Sequence, residues 1–422
     1  MKLMVIGGGG REHAIIKSLK KNPEVETIYA LPGNGGIGQD AICVPIGAKD
    51  IPAMVAFAQE KEIDFAVVAP DDPLVLGAVD ALEAVGVPCF GPNRDAAILE
   101  GSKVFSKGLM QKYHIPTAKY QVFSAAEEAI AYLKAEDTYP AVIKADGLAL
   151  GKGVIIAENE QEAIAGVHRI MTEKAFGDSG NQVVIEEFLT GPEVSVLSFT
   201  DGKTIIPMVS SMDHKRALDG DQGLNTGGMG TIAPNPFYTE AVAKECMETI
   251  FLPTMQAMVQ EGRPFKGCLY FGLMLTQKGP RVIEYNCRFG DPETQVVLPL
   301  LKSDLLTIMQ AVHDERLAEV PVEFSDGAAC CVVVASGGYP QKYQSGYPIS
   351  FGAVDEMENI TVFHAGTKLG ESGEILTSGG RVLGVTATGG HWQEAKEKAY
   401  EAVKQISFTD MFYRKDIGAR CK

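Results

Sequence analysis

Residues 142–154 read Val142-Ile143-Lys144-Ala145-Asp146-Gly147-Leu148-Ala149-Leu150-Gly151-Lys152-Gly153-Val154. Short apolar runs stand on both sides of a segment that is rich in glycine and carries two lysines. Glycine allows the backbone to approach a phosphate closely, and lysine supplies positive charge. The pattern predicts a β-hairpin whose mobile tip binds phosphate groups, although a flexible hairpin with solvated lysines remains an alternative.

This loop differs from the P-loop of nucleotide-binding proteins. That motif requires four residues between its glycines and a hydroxyl residue after its lysine. Here three residues separate Gly147 from Gly151, and Gly153 follows Lys152. A P-loop also leads into a helix, whereas a strand is predicted from Val154.

A second segment, residues 183–193, combines an apolar run with acidic residues. Val183-Val184-Ile185 precedes Glu186 and Glu187, and Glu193 follows six residues after Glu187. Backbone groups in such a hinge can bond the edge of adenine, and a carboxylate can accept hydrogen bonds from ribose. Taken alone, the segment is also consistent with a solvated acidic turn.

A third segment, residues 282–288, contains Glu284, Asn286 and Arg288 at alternate positions. In a strand such residues share one face. Two oxygen ligands on one face suit Mg²⁺, which takes its remaining ligands from nucleotide phosphates and water. In isolation, exposed polar strand residues explain the same pattern.

The N-terminal part alternates strands (3–6, 27–30, 65–69, 87–90) with helices (11–20, 50–61, 73–85), which predicts a parallel sheet. The turn Gly7–Gly10 lies between the first strand and the first helix and is followed by Arg11. It does not match the dinucleotide fingerprint, because Glu12 stands where the third glycine of that motif is required. This turn and the loop Pro32-Gly33-Asn34 are both expected at the carboxyl ends of neighbouring parallel strands. Backbone N–H groups at that position favour the binding of a phosphate group. A simple glycine turn is the alternative.

Composition narrows the class of protein. The chain of 422 residues has a net charge of −16, with 45% hydrophobic and 22% charged residues. This excludes a disordered or collagen-like chain and argues against nucleic acid as the main partner. No apolar run reaches the roughly 20 residues of a membrane span, and no secretory signal is expected. Eight scattered cysteines predict a cytoplasmic protein with reduced thiols; the oligomeric state stays open, with a monomer as one option.

The predicted fold class is α/β (α+β multidomain). We expect an N-terminal Rossmann-like parallel-sheet domain (1–101), a central domain (102–325) with a small lid subdomain at about 120–190, and a C-terminal α+β domain (326–422). The central domain should contain strands at 194–200, 204–209, 267–275 and 281–285 and a long helix at 239–260. The C-terminal domain should contain strands at 328–335 and 382–387 and a helix at 392–405.

The order and separation of the three segments resemble the ATP-grasp fold. Motifs along the whole chain resemble the phosphoribosylamine–glycine ligase family in particular. They are Gly10-Arg11-Glu12-His13, Pro32-Gly33-Asn34, Glu100-Gly101-Ser102-Lys103, Asp213-His214-Lys215-Arg216, Asn225-Thr226-Gly227-Gly228-Met229-Gly230, Asn286–Thr294, Phe363–Thr367, Gly379-Gly380-Arg381-Val382 and Arg414–Gly418.

The resemblance implies ATP-dependent ligation of glycine to 5-phosphoribosylamine, small-molecule partners only, and ATP with Mg²⁺ or Mn²⁺ as cofactors. It implies catalytic roles for Lys144 and Arg288 and metal binding by Glu284 and Asn286. Nucleotide binding is implied for Lys103, Lys144, Gly147, Gly151, Lys152, Gly153, Glu186, Glu187, Leu189 and Glu193. Substrate binding is implied for Gly10, Arg11, Gly33, Asn34, Asp213, Lys215, Asn225, Thr226, Gly227, Gly228, Met229, Arg288, Asp291 and Glu293.

The chain departs from the family pattern at a few positions, namely Ala69-Pro70-Asp71, Pro192, Leu224 and Phe271. We expect Phe271, which replaces a common alanine, to add bulk to a strand near the nucleotide. None of these changes removes a phosphate or metal ligand. His13 and His214 lie in family motifs, and both substrate contact and structural hydrogen bonding are open for them.

Three other functions fit parts of the sequence. Another ATP-grasp enzyme, such as a biotin-dependent or purine carboxylase, shares the alternation of Glu284, Asn286 and Arg288. An NAD-dependent oxidoreductase would explain the N-terminal glycines, but this sequence lacks the third glycine of the dinucleotide fingerprint. A nucleotide-sensing protein that does not turn over ATP is the third alternative. Such a protein would not need to keep the metal and lysine positions, which are intact in this sequence.

Overall fold

The computed structural model describes residues 1–148 and 153–421. The N-terminal part contains a five-stranded parallel sheet in the order β3-β2-β1-β4-β5. Its elements are β1 (Lys2–Gly7), α1 (Gly10–Leu19), β2 (Thr27–Pro32), β3 (Ile42–Cys43), α2 (Ile51–Lys61), β4 (Phe65–Val68), α3 (Asp71–Leu76), α4 (Ala78–Ala84), β5 (Cys89–Phe90) and α5 (Arg94–Gly101).

The predicted parallel sheet is therefore confirmed, with two corrections. The helix predicted over 73–85 is two helices, because Gly77 adopts a φ of +90° between them. Strand β3 was not predicted because it has only two residues, both exposed. The turns after β1 and β2 lie side by side, as predicted, since these strands are parallel neighbours.

The lid region is a four-stranded antiparallel sheet in the order β6-β9-β7-β8 with two helices. It follows α6 (Lys103–Lys112) and comprises β6 (Tyr120–Phe123), α7 (Ala126–Glu136), β7 (Ala141–Ala145), β8 (Val154–Ala157), α8 (Glu160–Val167) and β9 (Val183–Glu187). Lys144 pairs with Val154. The pairing confirms the predicted hairpin; Gly151 and Lys152 at its tip lie outside the described residues.

The next part of the chain carries most of the site. Its elements are β10 (Glu193–Asp201), β11 (Ile205–Pro207), β12 (Met212–Asp213), β13 (Arg216–Leu218), β14 (Gln222–Asn225), β15 (Gly230–Ala233), α9 (Glu240–Cys246), α10 (Leu252–Gln260), β16 (Lys266–Thr276), β17 (Gly279–Asn286), α11 (Thr294–Leu300) and α12 (Leu305–His313). An antiparallel sheet in the order β11-β10-β16-β17 forms its centre. A π-helical turn, Met247–Phe251, joins α9 to α10 within the predicted long helix.

The side chain of Phe271 on β16, the strand paired with β17, packs in the core. It is fully buried, and its ring centroid lies 4.3 Å from that of Phe251 and 5.6 Å from that of Tyr285. Tyr285 is buried, whereas its neighbour Glu284 is half-exposed. The extra bulk of Phe271 therefore fills the core rather than the exposed face of the sheet.

The C-terminal part contains β18 (Ala328–Ala335), β19 (Ile360–His364), β20 (Thr367–Leu369), β21 (Ile375–Thr377), β22 (Arg381–Gly389) and α13 (Trp392–Val403). Its antiparallel sheet has the order β12-β15-β18-β22-β19, so it takes two strands from residues 212–233. The loop between those two strands, which carries several predicted substrate residues, is thus fixed at both ends to the C-terminal sheet. Within residues 1–148 and 153–421, no helix has the length and apolar character to cross a membrane.

Candidate active site

A buried group of three charges lies beneath the lid. Lys144, at the end of β7, is only 4% exposed, and its Nζ lies 3.0 Å from Oε1 of Glu186. Nζ of Lys107 lies 3.0 Å from the other carboxylate oxygen of Glu186. Lys144 also donates a 3.1 Å hydrogen bond to the carbonyl of Ile283 on β17. One carboxylate thus holds two buried ammonium groups, and one of them reaches the strand predicted to bind metal.

Lys103 is joined to the lid hairpin. Its Nζ donates a 2.8 Å hydrogen bond to the carbonyl of Gly147. Ser102 caps α6 by accepting from the amide of Phe105, and its hydroxyl lies 3.1 Å from the carboxylate of Asp146. Burial lowers the pKa of Lys103, and the nearby carboxylate of Glu284 opposes that effect. The start of α6 therefore sets the position of the hairpin and of one of the predicted phosphate ligands.

The predicted adenine hinge follows β9. The backbone N–H of Glu187 donates to the carbonyl of Lys119 at 3.0 Å, and its carboxylate accepts from the amide of Lys119 at 2.9 Å. The side chain of Glu186 points into the buried ion group. Leu189 is half-buried just beyond the strand, and Glu193 at the start of β10 is also half-buried. Glu186 therefore acts on Lys144 through its side chain, while its backbone lies within the sheet, opposite Tyr120 on β6 and Val142 on β7.

Strand β17 presents the two predicted metal ligands. Glu284 and Asn286 are both half-buried, while Tyr285 between them is buried on the opposite face. Burial alone would raise the pKa of Glu284, but Lys215, Lys144 and Lys103 outweigh it and hold that pKa below its ordinary value. The carboxylate is therefore ionised at neutral pH and surrounded by the cations predicted to bind phosphate.

The donor set fits a divalent cation that binds together with a nucleotide. No cluster of three or more His, Cys, Asp or Glu side chains that could hold a metal ion exists within residues 1–148 and 153–421. Glu284 and Asn286 offer one carboxylate and one amide oxygen, which is the small protein contribution typical of Mg²⁺ bound to phosphates.

Arg288 is held by Glu100, which lies in a family motif but is not among the predicted site residues. Nη2 of Arg288 lies 3.1 Å from Oε1 of Glu100, and the other oxygen of Glu100 accepts from the amide of Cys287 at 2.6 Å. Burial raises the pKa of Glu100 to about 7, although Arg288 acts against this. Nη2 of Arg288 also donates to Oδ1 of Asn286 at 3.3 Å. Arg288 therefore lies beside the predicted metal ligands of β17, and its contacts fix its orientation.

Residues 288–295 contact the N-terminal part, strand β10 and the C-terminal part, from which Arg381 donates to the carbonyl of Asp291 at 2.9 Å. Arg11 from α1 donates to the carbonyl of Phe289 at 3.1 Å. Ser195 on β10 donates to the buried carboxylate of Glu293 at 3.3 Å, and Gln295 donates to Oδ1 of Asp291 at 2.7 Å. This segment is the junction at which the predicted substrate residues meet.

The loop between β12 and β15 adds further charges. Nζ of Lys215 lies 3.6 Å from a carboxylate oxygen of Glu193 and 3.7 Å from one of Glu284. Asp213 is buried, and burial together with the charge of Glu293 raises its pKa well above the ordinary value. Lys215 thus bridges the predicted ribose and metal carboxylates, Glu193 and Glu284.

Other residues predicted in this loop make internal contacts. Thr226 donates to the carbonyl of Lys215 at 2.8 Å, and its hydroxyl accepts from the amide of Gly228. Met229 is fully buried, so its side chain belongs to the core, and Asn225 is exposed at the end of β14. Asp213, Lys215 and the Gly227–Gly228 backbone are the parts of the loop that lie at the junction.

The N-terminal loops are closely packed. A Cβ at Gly10 would lie 2.6 Å from Nε2 of Gln295, and one at Gly33 would lie 2.4 Å from Sγ of Cys43. The side chain of Asn34 donates to the carbonyls of Gly8 and His364 and accepts from two backbone amides of its own turn. Asn34 therefore shapes the loop. The amide of Gly9 donates to the carboxylate of Glu12 at 2.6 Å, and Arg11 donates to Glu12 and to the carbonyl of Phe289.

Both histidines of the family motifs make structural hydrogen bonds. His13 accepts from the amide of His364 at 2.8 Å, and its Nε2 lies 3.1 Å from Asp40. His214 contacts the carbonyl of Gly230 through Nδ1 at 3.1 Å and accepts from the amide of Gly418 through Nε2 at 3.0 Å. Each histidine connects its segment to the C-terminal part of the chain.

Comparison with known proteins agrees with this geometry. Family models for phosphoribosylglycinamide synthetase match the N domain over residues 1–100, the ATP-grasp (A) domain over 101–294 and the C domain over 329–420. A phosphoribosylamine–glycine ligase from Caldanaerobacter subterraneus subsp. tengcongensis is 47% identical over 99% of this chain and 100% of that protein. One from Escherichia coli is 48% identical over 100% and 98%.

Solved structures lead to the same family. The crystal structure of phosphoribosylamine–glycine ligase from Thermotoga maritima superimposes with a TM-score of 0.86 at 33% identity, covering 99% of this chain and 100% of that one. Biotin carboxylase from Campylobacter jejuni shares the fold, with a TM-score of 0.76 at 15% identity over 97% of this chain and 92% of that one. The chain belongs to the phosphoribosylglycinamide synthetase family.

Proposed function

We propose that the protein is a phosphoribosylamine–glycine ligase, which joins glycine to 5-phosphoribosylamine with cleavage of ATP to ADP and phosphate. The observation that carries the proposal is the group of lysines at β17. Nζ of Lys215 lies 3.7 Å from the carboxylate of Glu284, and Lys144 donates to the carbonyl of Ile283 at 3.1 Å. Together with Lys103 these cations lower the pKa of Glu284. This arrangement combines the charges that a triphosphate needs with the ligands of a divalent cation, and the full-length relatives bear the name of the activity.

The nucleotide lies between the lid and β17 in this proposal. Lys103 and Lys144 neutralise its phosphates, and the hairpin that begins at Gly147 covers them. The backbone after Glu187 bonds the adenine edge, and Glu193 accepts from the ribose hydroxyls. Phosphoryl transfer needs little covalent help from a protein, so positioning and charge neutralisation by these residues supply most of the catalysis.

Glu284 and Asn286 would hold the divalent cation, which we infer to be Mg²⁺ or Mn²⁺. When bound, the cation neutralises charge on the transferring phosphate and on the ADP that leaves. The small donor set supports a cation that arrives with the nucleotide, because water and phosphate oxygens must complete its coordination.

Glycine and phosphoribosylamine meet at residues 288–295. A carboxylate oxygen of glycine attacks the γ-phosphorus and ADP departs, which leaves glycyl phosphate. The amine of phosphoribosylamine then attacks the acyl carbon, the carbon–oxygen bond to phosphate breaks, and the amine loses one proton. Arg288 and Lys215 offset the negative charge that develops, and a closed lid keeps water from the acyl phosphate.

The Gly7–Gly10 loop with Arg11 is our assignment for the phosphate of the sugar. It lies at the carboxyl end of β1 and the start of α1, where backbone N–H groups favour an anion. We infer a cytoplasmic location, which suits the eight cysteines, all of them unpaired. The partners in this proposal are small molecules.

The test is ADP release by the purified protein with single omissions. Full ADP production should require glycine and phosphoribosylamine together, and the product should be glycinamide ribonucleotide. ADP release that depends on bicarbonate instead would indicate a carboxylase. Binding of ATP without any turnover would indicate a nucleotide sensor.

A further inference from the structure

Arg381, the first residue of β22, reaches from the C-terminal sheet into the substrate junction. Its Nη1 donates to the carbonyl of Gly227 at 2.8 Å and to that of Asp291 at 2.9 Å, with the carbonyl of Gly228 at 3.4 Å. Its Nη2 lies 3.5 Å from Oδ2 of Asp291. The side chain is 21% exposed. A single guanidinium therefore connects two separate segments that the family resemblance implies in substrate binding.

The contact between Arg381 and Gly227 restricts the position of both residues. A Cβ at Gly227 would lie 2.8 Å from Cζ of Arg381, so the backbone of the turn lies directly against the guanidinium. The planar fork of arginine can serve several acceptors in fixed directions, whereas a lysine ammonium is a point charge on a flexible stem. The interaction thus depends on arginine in particular and not on positive charge alone.

The turn that Arg381 contacts also packs against Asp213 and Pro292. Gly228 has a φ of +118°, and a Cβ there would lie 2.6 Å from Oδ1 of Asp213 and 2.5 Å from Cδ of Pro292. Any shift of the turn would therefore move Asp213 or the segment that begins at Asp291. Asp291 in turn faces the N-terminal loop, since a Cβ at Gly9 would lie 3.4 Å from its Oδ2.

We propose that Arg381 is a positioning residue that fixes the Gly227–Gly228 turn and Asp291, so that the C-terminal part completes the site for glycine and phosphoribosylamine. The inference rests on the proposed function for the identity of those substrates. Arg381 acts through the backbone it holds, and its side-chain contacts are with Gly227, Gly228 and Asp291 rather than with the predicted adenine hinge after β9. Its loss should therefore affect the two amino substrates and spare nucleotide binding.

The experiment compares Arg381→Lys and Arg381→Ala with the full-length wild type. Loss of a charge-assisted hydrogen bond predicts a fall of roughly 10- to 100-fold in kcat/KM for glycine and for phosphoribosylamine. The dissociation constant of ATP should stay within about twofold, which also reports correct folding. Added guanidinium should restore part of the activity of Arg381→Ala. Arg316→Met, at an exposed arginine in a surface ion pair, is the matched control.

Hydrogen exchange gives a readout that does not depend on turnover. The amide of Gly227 donates to the hydroxyl of Tyr339 and that of Gly228 to Thr226. Both should exchange faster in Arg381→Lys. Unchanged exchange together with wild-type kinetic constants would overturn the inference. A uniform loss that includes ATP binding, without rescue by guanidinium, would also overturn it in favour of a purely structural role. A wild type that forms no glycinamide ribonucleotide would refute the proposed function instead, and the exchange rates would still decide the role of Arg381.

Discussion

His214 should make the anchoring of the substrate loop sensitive to acid. The imidazole is buried, donates to the carbonyl of Gly230 through Nδ1 and accepts from the amide of Gly418 through Nε2. Only the neutral ring can make both hydrogen bonds, because the imidazolium ion has no acceptor. Burial and the charge of Arg414 lower the pKa of His214 to about 4, from an ordinary value of 6.5.

The sign and size of the effect follow from this difference in pKa. Above pH 6.5 the ring is neutral in the folded and the unfolded chain, so the neutral ring makes its full contribution to the free energy of unfolding. As pH falls, the unfolded chain takes up a proton first, and the folded chain follows only near pH 4. At about 1.4 kcal/mol per pKa unit the total loss is about 3 kcal/mol, of which about 2 kcal/mol falls between pH 7 and 4.5.

The assay uses Trp392, the only tryptophan of the chain. A Cβ at Gly418 would lie 3.7 Å from Cζ3 of Trp392, so its fluorescence reports on the tail that His214 anchors. Urea unfolding of the wild type and of His214→Gln is measured at both pH values. The variant cannot titrate, so its free energy of unfolding should change by about 2 kcal/mol less between them.

His168→Gln, at an exposed histidine of the lid, is the control and should match the wild type. If His214→Gln lost stability on acidification to the same extent as the wild type, the reasoning about the neutral ring would be refuted.

Two further predictions concern the nucleotide side. In Glu284→Gln, ATP turnover at limiting Mg²⁺ should fall roughly 100-fold while the protein still folds. The control Glu248→Gln, at an exposed site, should leave turnover unchanged. Normal turnover in Glu284→Gln would contradict the metal assignment. Glu186→Gln leaves two buried ammonium groups without a counter-charge, so the free energy of unfolding should drop by about 3 kcal/mol. The additional change Lys107→Met should recover part of this loss. A thermal unfolding curve like that of the wild type would show that the buried ion group contributes little to stability.

Much of the candidate nucleotide site could be predicted from local sequence. Apolar runs on both sides of the glycine loop predict a hairpin, and the alternation at β17 places Glu284 and Asn286 on one face. Lys107 was missed because no motif contains it, although it lies four residues after Lys103 on α6 and so on the same helix face. That spacing was the available signal.

The arrangement around the substrates depends on contacts between distant segments, which local patterns do not report. Glu100 and Arg288 are 188 residues apart in the chain, and Arg381 binds a turn 154 residues before it. Strand β12 has only two residues, too few for a recognisable alternation, and its place in the C-terminal sheet depends on pairing with β15. Position in the fold, rather than residue type, decides these roles.

The most direct test of the ligase chemistry follows the oxygen atoms of glycine. Glycine labelled with oxygen-18 in its carboxylate is turned over with ATP and phosphoribosylamine, and the released phosphate is analysed by mass spectrometry. Activation of the carboxylate by phosphoryl transfer predicts one labelled oxygen in each phosphate formed. Unlabelled phosphate alongside labelled glycinamide ribonucleotide would contradict it.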